Sequence, residues 1–165
     1  MSTYEYKNKL YIVSECSIDE IPSHIERVFS YWAKDNTDIQ VQKDLMEECI
    51  TDGIALKITS NDMLLGSVYL LHIDKDTTSY TREDDYKGIQ CFVKTKSAFA
   101  LLMYHLREKL SVCRILFQPH CMNPVPFGKW LTESSIRNHY SFRIPIIANL
   151  YNKDLDRRIP DIKEV

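Results

Sequence analysis

The side chains that could do chemistry are few and scattered. His120 and Cys121 stand side by side just past a short apolar run. An imidazole titrates near neutral pH and can take a proton from an amine. A thiolate can attack a carbonyl. Neighbours on an extended chain point to opposite sides, so the two are separate candidates and not a dyad. His120 is the candidate general base. His72 and His105 fall in apolar surroundings and read as structural, whereas His24 and His139 read as exposed. No two histidines have the i, i+4 spacing of a helical metal site. The carboxylates of Glu83, Asp84 and Asp85 are consecutive, but they lack calcium-loop spacing and lie in a polar run that reads as a solvated loop. Ser134-Ser135 has no flanking glycines of the nucleophile-elbow kind.

These residues must be positioned by a folded domain. The 165 residues contain 44% hydrophobic and 27% charged side chains, which is globular composition. A chain of this length buries roughly 70% of its unfolded surface. Residues 10–14 read as a strand. Ser17 and Glu20 then fit a capping box, and Ile25, Val28, Phe29 and Trp32 follow at helical spacing, giving a helix over 19–34. A second helix, 39–50, places Leu45, Met46 and Cys49 on one face and ends at Asp52-Gly53, with Gly suited to a helix terminus. Residues 54–58 and 63–73 form a hairpin about Asn61-Asp62. Residues 74–85 are a loop, and 86–93 a strand with Ile89, Cys91 and Val93 on one face. A helix over 97–110, a strand over 113–118, a proline-bearing loop, a short helix over 127–135 and a strand over 139–150 complete the pattern. Pro145 marks that last strand as an edge or a bulge. The class is α/β or α+β, with a mixed, twisted sheet of about six or seven strands flanked by helices. Residues 1–150 read as one domain and 151–165 as a charged C-terminal tail, loosely packed.

Composition narrows the function. Only four glycines occur, and neither G-x-G-x-x-G nor G-x-x-x-x-G-K-[ST] is present, which removes support for a Rossmann or Walker-type nucleotide site. The net charge is −2 and no basic run exists, so nucleic acid is an unfavoured partner. No stretch of 18 apolar residues spans a membrane, and the N-terminus has no apolar signal core. The five cysteines are irregularly spaced without C-x-x-C, as expected of small buried hydrophobes in a reducing, cytoplasmic setting.

The element order, β-α-α-β-β-β-α-β-α-β over nearly the whole chain, resembles the GNAT N-acetyltransferase fold of acyl-CoA N-acyltransferases. The resemblance implies acetyl-CoA as cosubstrate and an amine or protein acceptor. It places the cofactor loop after the 86–93 strand, at Phe92, Val93, Lys94, Thr95, Lys96, Ser97 and Ala98. There, backbone amides at a helix N-terminus and two lysines would meet the CoA pyrophosphate. The family pattern sets a Gln or Arg, two residues, a Gly, one residue, then a Gly or Ala. One register puts Lys94, Ser97 and Phe99 on these positions; the register one residue later puts Lys96 on the Gly and Ala98 on the small residue. Asn123 matches the Asn of a later motif. Seven residues on, where a thiolate-protonating tyrosine often stands, this chain has Trp130, and the nearest downstream tyrosine is Tyr140.

Two functions follow from different classes. One is an N-acyltransferase using acetyl-CoA, with His120 and Tyr140 as catalytic candidates. The other is a GNAT-like module that has lost its chemistry and binds protein, such as a viral or mobile-element host-interaction protein. Ten tyrosines and 11% aromatic residues suit such an interface.

Overall fold

The computed structural model describes residues 1–29, 36–73, 82, 84–117 and 146–165. The chain opens with a hairpin, β1 (Ser2–Tyr6) and β2 (Lys9–Glu15). Its two-residue turn holds Lys7 and Asn8 at φ 51° and 63°, the left-handed geometry that follows strand twist. Glu20 accepts the Ser17 N–H at 3.0 Å, completing the capping box read from the sequence. A single 3-10 turn (Ile18–Glu20) then leads into α1 (Ile21–Phe29), with Pro22 in the first turn, where its missing N–H is harmless. Helix α2 spans Asn36–Asp52.

Strands β3 (Ile54–Ser60) and β4 (Met63–His72) make the expected hairpin, with Asn61 and Asp62 at φ 50° and 61°. Gly53 does not have a positive φ; a Cβ there would fall on the Leu70 carbonyl oxygen, so the requirement is close approach of α2's end to β4. Strand β5 (Tyr86–Val93), helix α3 (Lys96–Leu110) and strand β6 (Arg114–Phe117) follow, then β7 (Ile146–Asn149). The sheet has eight strands in the order β7-β6-β5-β4-β3-β2-β1-β8. Among the described strands only β5 and β6 run parallel. The strands beyond the expected six or seven are the hairpin partner β1 and the edge strand β8 (Lys163–Glu164).

Helices cover both faces. Tyr4, Tyr11, Val13, Leu56, Ile58, Val68, Leu70, Cys91 and Val93 face α3, which is buried without interruption from Ala98 to Met103. Ala55, Tyr69 and Ile89 face α1 and α2, meeting Ile21, Ile25, Met46 and Cys49. Ile89 thus lies opposite Cys91 and Val93, contrary to the alternation read from the sequence. The cause is a register shift: Tyr69 pairs with Gln90 but Leu70 with Gly88, which leaves Ile89 as an extra residue.

The C-terminal segment is not loosely packed. Residues Lys153–Arg158 form α4, and Leu155 and Ile162 are buried. Arg107 donates to the Leu150 carbonyl at 3.1 Å and to Asp156 at 2.9 Å, and the Val165 N–H donates to Thr3. The expected short helix at 127–135, and most of the loop at 74–85, lie outside the described residues.

Candidate functional site

The parallel pair β5–β6 is short. Tyr86, Lys87 and Gly88 pair with Ile115, Leu116 and Phe117, the last of the described residues of β6. Two features fix this stretch. Asp85, 1% exposed, forms an ion pair with Arg114 at 3.3 Å just before the first pair. Gly88 closes the last one; a Cβ on it would collide with the edge of the Phe117 ring. Strand β5 runs on for five residues, Ile89–Val93, bonded to β4 on one side. Among the described residues no strand pairs with its other edge. Beyond Gly88 that edge is open with respect to the described strands.

The bulge sits at the start of that open edge. Gln42 of α2, 6% exposed, donates from Nε2 to the Ile89 carbonyl, which a regular ladder would have used. Gln90 donates to the His24 carbonyl at 3.2 Å and accepts from Ser67 at 3.0 Å. His24 Nδ1 and the Tyr69 hydroxyl are hydrogen-bonded at 2.6 Å, and the Cys16 thiol lies beside the same hydroxyl. Burial pushes His24 down to about 4, although Glu20 opposes it. Burial pushes Cys16 up to about 12 and raises Tyr69 as well. All three are uncharged at neutral pH, so the cluster fastens α1 to the sheet and supplies no base. A second pair does the same on the other face: Tyr4 O–H and His105 Nδ1 lie 2.6 Å apart.

At the far end of the open edge, α3 begins. Thr95 is its N-cap, and its Oγ1 accepts the Ala98 N–H at 3.1 Å. The Lys94 N–H donates to Leu65 at 2.8 Å. Of the amides offered to an anion by the sequence reading, those of Lys96 and Ser97 are first-turn donors without an intrahelical acceptor. The Lys94, Thr95 and Lys96 side chains are exposed, and Ser97 is half-buried beside Tyr11. Val93, Ala98 and Phe99 turn into the core. Phe92 points the other way, under α1.

His120, Asn123 and Tyr140, with Cys121 and Trp130, lie outside the described residues. Two histidines differ from expectation. His24 is 1% exposed, because α1 lays it on Tyr69, and His72 is exposed at the end of β4, edge-on to the Tyr86 ring at 5.1 Å. The acidic run divides: Asp84 is exposed and Asp85 is buried against Arg114. Among the described residues no group of three His, Cys, Asp or Glu could hold a metal. No helix of the described residues is long and apolar enough to cross a membrane. An open groove of about 350 Å³ lies between the start of α1 and α2, lined by Ile18, Asp19, Ile21, Pro22, Lys43 and Glu47. It shares no residue with the open edge of β5.

Sequence reasoning passed over Gln42, Ser67 and Gln90. The available signal was a glutamine at 42 on the stripe that Met46 and Cys49 continue.

No family model matches the chain, and no curated protein matches it in sequence. Solved structures do match in fold. A protein described as an acetyltransferase from Staphylococcus aureus superposes with a TM-score of 0.54 at 12% identity, covering 84% of this chain and 99% of its own. A GNAT family acetyltransferase from Brucella melitensis, solved in complex with acetyl-CoA, gives 0.53 at 9% identity, over 84% and 87%. An uncharacterised Bacillus halodurans protein gives 0.52 at 12% identity, over 97% and 95%. At these identities the likeness is one of fold. With its mixed eight-stranded sheet, two helices on one face and α3 on the other, the chain has the fold of the GNAT acetyltransferases.

Proposed function

We propose that the protein is a divergent GNAT-like N-acyltransferase that moves an acetyl group from acetyl-CoA to an amine. One observation carries this reading: beyond the bulge at Ile89, β5 continues past its described pairing with β6 into the N-terminus of α3. That arrangement offers an extended slot for a chain-like ligand with a positive helix end for its phosphates. Phe92 to Ala98 would hold the cofactor. The Lys96 and Ser97 amides and the Lys94 and Lys96 ammonium groups fit a pyrophosphate in charge and donor number. Bound acetyl-CoA supplies an activated thioester. The protein's part is to orient the amine against it, take the amine proton and hold charge that develops on the carbonyl oxygen with backbone N–H groups. His120 is proposed as the base, Tyr140 as the acid for the departing thiolate, and Asn123 as a further cofactor contact. Three buried, unbridged cysteines support a cytoplasmic setting. Residues 1–150 are proposed as the catalytic domain, with 151–165 as its docked extension.

Thermal unfolding with and without acetyl-CoA tests the reading. A ligand at a hundred times its Kd adds about 3 kcal/mol of stability. Replacing Lys94 and Lys96 together by Glu should abolish most of that gain by reversing charge at the helix mouth. No stabilisation of the parent protein would sink the proposal.

A second reading, a protein-binding module without chemistry, is favoured by one feature. The titratable groups described beside the bulge are buried and held uncharged. Acetyl-CoA consumption over a panel of amines separates the two, with Trp130→Tyr and Tyr140→Phe alongside the parent.

A further inference from the structure

Four described arginines are at least half-buried: Arg27, Arg107, Arg114 and Arg158. Three of them have carboxylate partners. Arg107 meets Asp156 at 2.9 Å and Glu108 at 3.0 Å, Arg114 meets Asp85 at 3.3 Å, and Arg158 meets Asp154 at 3.2 Å. Arg27 has none among the described residues. Its guanidinium carbon lies over the Phe92 ring, 5.3 Å from the centroid, and its Nε is buried without an acceptor. Glu20, seven residues earlier, is already held by Lys57 at 2.6 Å. Partly desolvated guanidinium groups are ordinarily matched to an anion, because an unmatched one loses hydration without recompense.

The location of this charge follows from how α1 lies on the sheet. The His24 carbonyl meets Gln90, and Arg27, three residues later, meets Phe92, two residues later. Helix and strand therefore advance together, and Arg27 overlies the last part of β5, beyond the bulge. Phe92 belongs to the open edge, and its ring faces α1, whereas Val93 next to it faces α3. The two faces of that edge so carry different positive features. The α3 side has the helix mouth with Lys94 and Lys96. Among the described residues, the α1 side has Arg27 over Phe92.

We propose that Arg27 binds a carboxylate of the acceptor, so that the acceptor class is a primary amine that also carries a carboxylate, as an amino acid does. This rests on the acyltransferase reading for the word acceptor, but the anion site stands on Arg27 itself. A guanidinium seated over a ring keeps its in-plane N–H fork for a second partner, and that fork matches a carboxylate in two parallel hydrogen bonds. Arg27 is in this scheme a binding residue that anchors the acceptor across the open edge from the cofactor's phosphates.

The experiment compares the parent with Arg27→Gln and Arg27→Lys, each first checked for unchanged thermal unfolding. Amino acids are paired with the primary amines that lack only the carboxylate, and acetyl-CoA consumption is followed. The parent should prefer the carboxylate member at least ten-fold in kcat/KM. Arg27→Gln should erase the preference through KM with kcat little changed, and Arg27→Lys should restore part of it. Calorimetry with succinate, and separately with inorganic phosphate, reads the site without turnover. Succinate should bind the parent and not Arg27→Gln. Phosphate binding that Arg27→Gln removes, with no succinate binding, would overturn the carboxylate assignment. Acetyl-CoA binding with equal succinate affinity, or none, in parent and Arg27→Gln overturns the Arg27 proposal alone. Arg27-dependent succinate binding without acetyl-CoA binding overturns the acyltransferase reading and leaves the anion site.

Discussion

Acid should destabilise this protein well above the range in which carboxylates titrate, and His24 should be a main reason. Its imidazole is 1% exposed, sits under α1 and is bonded to Tyr69 at 2.6 Å. Burial pushes it from 6.5 to about 4; Glu20 opposes this, and the Arg27 and Lys57 charges add to it. The folded state therefore holds His24 neutral, whereas the unfolded chain takes up a proton near pH 6.5. The contribution is fully present above pH 6.5 and shrinks as pH falls towards 4, where the folded state also protonates. At 1.36 kcal/mol per pH unit, the loss between pH 6.5 and 5 is about 2 kcal/mol, and over the whole span about 3 kcal/mol. His105, also lowered by burial, works in the same direction. Glu20 is raised by burial but held below its ordinary value overall by Lys57 and the Ser17 N–H, so its contribution is lost only in stronger acid. The interval from pH 7 to 5 therefore reads the histidines. Urea unfolding at half-unit steps supplies the slope. His24→Gln keeps a hydrogen-bonding group for Tyr69 but does not titrate, and should flatten the slope by about 2 kcal/mol over that interval. An equal slope in parent and variant would refute the argument that His24 is buried neutral.

Two further perturbations test the hinge of the candidate site. Asp85→Asn removes the carboxylate that Arg114 meets at 3.3 Å and should lower stability by about 3 kcal/mol in chemical unfolding, whereas replacing both partners by apolar residues should cost much less. Gly88→Ala drives a methyl group against the edge of the Phe117 ring, and should cost about 1–3 kcal/mol as strand β6 is displaced; a thermal midpoint equal to the parent's would show that β6 yields freely.

The elements legible in the sequence are those whose pattern is complete in a short window. Ile54, Leu56 and Ile58 alternate beside an Asn-Asp turn, and β3 and β4 formed there. The Ser17–Glu20 box sits three residues apart, and α1 begins behind it. Strand β1 was missed although Tyr4 and Tyr6 alternate. A tyrosine can be buried only if its hydroxyl finds a partner, and the partners here, His105 and Arg158, are 101 and 152 residues away. The same distance hid the docking of the last fifteen residues, whose charges look solvated until Arg107 is placed beside Asp156 and the Leu150 carbonyl.

The candidate site was legible at one end only. A strand running into a helix is a local feature, and the stretch from Phe92 to Ala98 was placed there by the family resemblance. The bulge end depends on three strands and a helix at once. Alternation along 86–93 gives the right faces for a regular strand, and nothing within those eight residues says that Tyr69 and Leu70 will skip one of them. Once Ile89 is left over, its carbonyl needs a donor, and the donor is Gln42, 47 residues earlier. Read alone, Gln42 is a polar intrusion in the stripe of Met46 and Cys49. Paired with the bulge, it satisfies the carbonyl at the point where β5 and β6 part, and so helps α2 hold the edge that the proposed cofactor would use. A buried polar residue on an otherwise apolar helical face thus marks an irregular backbone beneath it, and here that irregularity lies where the sheet opens.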